Sequence, residues 1–173
     1  MDFNLELIEW SRISFRDGSY RWIDVKEFRQ SRSSPNLDTI LIPNLLNHPA
    51  MRDLYFGYPR VLIDEPIHGP FSLDSLKPEM FQRVSSSEAH RNLFEWTQQQ
   101  WSLSQEPGLD PVPIDDGIDE LYRAIDRSRL IFELHDPKGA EIIPWSAARP
   151  EIFLELIVAD PEGGVVLIVC TDD

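Results

Sequence analysis

A single cysteine, Cys170, in 173 residues excludes any disulfide within the chain and fits a reducing compartment. Glycine is also scarce, eight in all, and none falls into a G-x-G-x-x-G or Walker loop that would cradle a phosphate. No serine occupies a G-x-S-x-G elbow. The one adjacent glycine pair, Gly163-Gly164, lies between two strand-like runs, where a hairpin turn accounts for it. Long apolar runs are missing too. The longest, Gly164 through Cys170, is far short of the ~20 residues that cross a bilayer. Residues Met1-Asp2-Phe3-Asn4-Leu5-Glu6 carry acids where a secretory leader would carry bases and then an apolar core. These absences predict a cytoplasmic protein with no membrane partner.

Basic residues are in short supply, 16 against 30 acids, for a net charge of −14. The deficit is not uniform. Through Arg60 the two signs balance at eight each, so the eight bases and twenty-two acids of 61–173 hold the whole excess. Such a field repels phosphate backbones and anionic lipid, and it speeds encounter with basic partners. Direct nucleic-acid binding is therefore not expected, and a basic protein partner is.

Apolar residues make up 42% of the chain and aromatics 10%. A domain of this length buries roughly 70% of the surface that its unfolded chain exposes, which suffices for a core without staples. The expected organisation is one α+β domain over 1–173, with 103–116 as a candidate flexible acidic linker. Phe3, Leu5 and Leu7, then Ile13 and Phe15, alternate with polar residues as in a half-buried strand. Asp17-Gly18 favours a type I′ turn into a return strand with Tyr20, Trp22 and Ile23. Asp24 then offers a cap for a short helix to Phe28.

Seven prolines punctuate residues 35–84. Short helices are expected near 37–46, 49–56 and 77–83, and a strand at 60–64. Ser85 and Glu88 have capping-box spacing, opening a helix whose apolar face holds Ala89, Leu93 and Trp96. Ile118, Leu121, Tyr122 and Ile125 recur at helical spacing after the N-cap candidates Asp115 and Asp116. The last third returns to β, with expected hairpins over 130–144 and 152–170. The predicted fold is α+β: a mainly antiparallel sheet with N-terminal and C-terminal hairpins, and helices packed on one side.

Candidate chemistry is sparse. The histidines, His48, His68, His90 and His135, form no His-x-x-x-His pair that would place two imidazoles on one helical face. His135-Asp136 offers an oriented base and Asp64-Glu65 a carboxylate pair, but a surface turn and an exposed strand end explain both more simply. Cys170 sits in the most apolar run, with six acids and no bases following Arg149, a setting that disfavours a reactive thiolate. No catalytic residue, metal site or cofactor is expected.

The strongest positive signal is a stretch with six acids and no base: Glu106, Asp110, Asp115, Asp116, Asp119 and Glu120. Carboxylates accept bidentate hydrogen bonds from arginine, so this segment is the expected partner-binding surface. Small size, acidity and the lack of catalytic motifs point to a bacterial immunity-type protein. It would neutralise a toxin, such as a nuclease, by covering a basic active site. The competing expectations are a secretion chaperone or adaptor, a nucleic-acid mimic, and an enzyme without a recognisable motif.

Overall fold

Leu5–Ser14 forms β1 and Arg21–Gln30 forms β2, paired antiparallel as the alternation in β1 predicts. The computed structural model to which these elements belong describes residues 4–15, 21–31, 34–56, 63–98, 117–135, 137–146 and 148–172. The Asp17-Gly18 turn and the 103–116 linker lie outside that set. The expected elements need correction in three regions. Asp24 does not cap a helix: it lies in the middle of β2, where Asp24 and Lys26 are buried on one face while Ile23 and Val25 fill the other. A strand buried on both faces loses the apolar–polar alternation by which strands are read.

The second correction concerns the proline-rich middle. α1 spans Leu37–Leu46 as expected, but 49–56 yields only a 3₁₀ turn at Pro49–Met51. The chain then extends, because Asp53 bridges to His68 in the small hairpin of β3 (Ile67–His68) and β4 (Phe71–Ser72). Of the strand expected at 60–64, residues 63 and 64 form none, and 60–62 lie outside the described residues. Over 77–83 a 3₁₀ turn at Pro78–Met80 leads into β5 (Phe81–Arg83).

The last third holds α2 (Ser86–Gln98), α3 (Gly117–Arg127), β6 (Leu130–Leu134), β7 (Leu154–Ala159) and β8 (Gly164–Asp172). The third correction is here: β6 does not return through 141–144 but lies between β5 and β7. The 141–144 segment runs beside β4 instead, with Ile142 bridging Phe71 and the Ile143 amide donating to the Pro70 carbonyl. The C-terminal hairpin, β7 with β8, forms as predicted, and Asp160 Oδ1 accepts from the Glu162 and Gly164 amides in its turn.

Six strands make one antiparallel sheet in the order β1-β2-β8-β7-β6-β5, which brings the two terminal hairpins together at β2–β8. Each face has its own core. On one, Ile23, Val25, Leu156, Val158 and Ile168 meet Ala89, Leu93 and Trp96 of α2 and Leu121 and Ile125 of α3. On the other, Phe28, Ile157, Leu167 and Val169 meet Leu41 and Leu45 of α1, together with Met51, Tyr55 and Phe71. The helical layer thus consists of α2 and α3 side by side, with α1 and the 3₁₀ turns on the opposite face.

Candidate functional site

Strand alternation sends Asp24 and Lys26 of β2, and Glu155 of β7, toward the α1 face, where the irregular chain between residues 48 and 72 covers them. The Lys26 ammonium donates to the Ala50 carbonyl (2.6 Å) and to Asp53 Oδ2 (2.7 Å), between the rings of Trp10 (4.1 Å) and Tyr55 (4.5 Å). Asp53 Oδ1 accepts from the Tyr55 amide at 2.7 Å, and Tyr55 adopts φ +53°, a left-handed geometry that costs a bulky residue energy and persists only when its surroundings fix it. Arg12 grips Asp24 with two hydrogen bonds, 2.9 and 2.7 Å.

His68 completes the network, with Nε2 2.8 Å from Glu155 Oε2 and Nδ1 2.8 Å from the Met51 carbonyl. Lys26, His68 and Glu155 are 0% exposed. Burial lowers the Lys26 pKa from its ordinary value, against the pull of Asp53, and raises those of Asp24 and, strongly, Tyr55. Sequence reasoning missed this cluster. Its signal was present in charged residues alternating with core residues, Ile23-Asp24-Val25-Lys26 and Leu154-Glu155-Leu156. The Lys26 bonds to Ala50 and Asp53 and the His68–Glu155 pair fasten the covering chain to the sheet.

The groups singled out for chemistry stay apart. Asp64 and Glu65 are exposed at a bend, and His135 is exposed; Asp136 lies outside the described residues. His90 pairs with Asp126 across α2 and α3 (2.9 Å) and stacks on Tyr122. Cys170 is fully buried, and burial raises its thiol pKa well above the ordinary value. Among the described residues, no three His, Cys, Asp or Glu side chains gather to hold a metal.

Of the expected acidic surface, Glu106, Asp110, Asp115 and Asp116 lie outside the described residues, while Asp119 and Glu120 are exposed in the first turn of α3. Adjacent helix positions point about 100° apart, and the structure splits this pair. Asp119 acts on Tyr122, whereas Glu120 lines a groove between α3 and the sheet. Glu27 of β2 and Asp160 of the β7–β8 turn line the same groove, and Glu9 stands directly opposite Glu27 on β1. Partial burial, and then the charge of Glu9, raise the Glu27 pKa above its ordinary value. Acids far apart in sequence thus meet at one edge of the α2–α3 face. Arg127 is the base on that rim, and Arg123 pairs with Glu120 from the neighbouring turn.

No family model, no curated protein and no solved structure matches this chain.

Proposed function

We propose that this chain is an acidic protein-binding inhibitor of the immunity type, acting in the bacterial cytoplasm. It neutralises a toxin, most simply a nuclease, by covering its basic active site. The observation that carries this reading is the meeting of Glu27, Glu120 and Asp160 around one groove, from the first hairpin, α3 and the last turn, with Glu9 directly across the strand pair from Glu27. Carboxylates on packed elements are preorganised, so less freedom is lost on binding than from a mobile tail. Like charges held close together on packed elements destabilise the free protein, and a cation on a partner relieves that cost.

The test is affinity capture from native lysate at low and high salt. A basic partner held at one-to-one stoichiometry, released by salt and lost in a Glu27→Lys/Glu120→Lys variant, is the expected result. If the partner is a nuclease, the complex should not cleave. Capture indifferent to salt and to charge reversal would overturn the proposal. A second reading, an adaptor that holds an extended apolar segment, draws on the exposed Ile142 (54%) and Trp145 (66%) beside β4. It predicts binding with weak salt dependence, lost in Trp145→Ala.

A further inference from the structure

The groove at the acidic edge has an apolar floor. Val25, Val166 and Val158 of β2, β8 and β7 line it, and Ala124 of α3 forms part of its wall. Its volume is about 190 Å³. Val158 is buried but Val166 is only partly so, although the sheet covers it from below. Glu27 lies two residues beyond Val25 on the same face of β2 and directly cross-strand from Val166, so its carboxylate stands at the end of this valine floor. Glu120 precedes Ala124 by one helical turn, which puts its carboxylate above the same wall.

We infer that this groove receives one arginine side chain of a cationic protein partner. The inference rests on the acidic-interface reading above and names the group which that interface recognises. The floor and the rim ask for different things, and arginine meets both. Its three methylenes lie on apolar surface while the charged head stays with polar groups. The planar guanidinium has five donors in a fixed fork and can bridge carboxylates from two elements, here Glu27 and Glu120. A lysine ammonium is a more strongly hydrated point charge and spans two acceptors less well.

The neighbouring groups are compatible with a single guest. Asp160 Oδ1 accepts from two backbone amides, which fixes this carboxylate where it lines the groove. The Arg123–Glu120 pair is fully surface-exposed, with both side chains more than 60% accessible, and such pairs exchange at little cost. Arg127 also lines the groove, and the incoming arginine shares the rim with it. Glu27 has no positive partner among the described residues, while Glu9 across the strand pair adds a second negative charge.

The experiment is a methyl and amide NMR titration of the whole chain with N-acetyl-arginine amide, compared with the lysine and norleucine analogues. Saturable shifts confined to Val25, Ala124, Val158, Val166 and their neighbours are expected with the arginine probe. Glu27→Gln removes a charged acceptor and Ala124→Met fills the wall without altering charge. Each should weaken binding by roughly tenfold or more, as loss of a charge-assisted contact does. An unchanged amide spectrum elsewhere shows that each variant is folded. Equal binding of norleucine, shifts spread over distant acids such as Asp38 and Asp74, or full affinity in Ala124→Met would overturn the inference.

The two proposals fail separately. A salt-sensitive protein partner that binds Ala124→Met as well as wild type sinks the arginine seat and spares the acidic interface. Arginine-amide binding in the groove with no basic partner captured does the reverse.

Discussion

Lys26 is enclosed by two rings and two acceptors, and its energetics follow from what each substitution would leave behind. Removing the ammonium alone strands Asp53 in a site 5% exposed. Lys26→Met should therefore cost on the order of 3–5 kcal/mol, the usual penalty for halving a buried pair. Adding Asp53→Asn discharges the stranded group and keeps an oxygen for the Tyr55 amide, so the double variant should regain part of the loss in urea unfolding. Additive losses would mean that the pair is not coupled. Gly69 has φ +56°, and a Cβ there would meet the Phe153 ring at 2.5 Å. Gly69→Ala should lower stability by roughly 1–3 kcal/mol, through strain and that clash, in the same assay.

The buried protons of Tyr55 and Cys170 add a pH effect with a definite sign. Both folded pKa values are raised above the ordinary 10.0 and 9.0 by burial. Above those values the unfolded chain releases protons that the native state keeps. Their contribution to stability is thus complete below pH 9 and is lost as pH climbs toward the folded values. Lys26 works oppositely, since its lowered pKa lets the folded state shed a proton first. Cys170→Ala should flatten the alkaline decline measured by urea midpoints at successive pH values. An unchanged slope would show that the thiol does not govern it.

At the scale of elements, what the sequence disclosed depended on how each element is buried. α2 was readable because it has one apolar face and a self-contained cap: Ser85 Oγ accepts from the Glu88 amide while Glu88 accepts from the Ser85 amide. Ser85→Ala should cost roughly 1 kcal/mol of stability, and amide exchange should accelerate first in residues 86–89. Uniform loss of protection would mean that the cap is not local. α3 and the β7–β8 hairpin were legible for similar reasons, one through helical periodicity and the other through a turn between apolar runs. β2 was read only as far as Ile23 because Asp24 and Lys26 occupy core positions beyond it, and β5 was hidden because three residues after a proline carry no period of their own. For the site, the run of acids through Glu120 led to α3, but Glu9, Glu27 and Asp160 could not be joined to it without the sheet order.

For the whole molecule, a charge of −14 means that folding gathers carboxylates against their mutual repulsion. Added salt screens exposed charges beyond about 10 Å at 0.1 M and leaves buried pairs such as Lys26–Asp53 nearly untouched. The urea midpoint should therefore rise as salt is added from low ionic strength, and a fall would show that surface ion pairs outweigh the repulsion. Glu27 concentrates the same conflict at one residue. Its folded pKa is raised above the ordinary 4.5, so its stabilising share is present in acid and lost as pH rises through the folded value, which leaves a net cost at neutral pH. Glu27→Gln should stabilise the free protein at pH 7, show no gain at pH 3, and weaken arginine binding in the groove. Opposite movement of stability and affinity is what a carboxylate retained for a partner produces, since a residue kept only for the fold would lose both or neither.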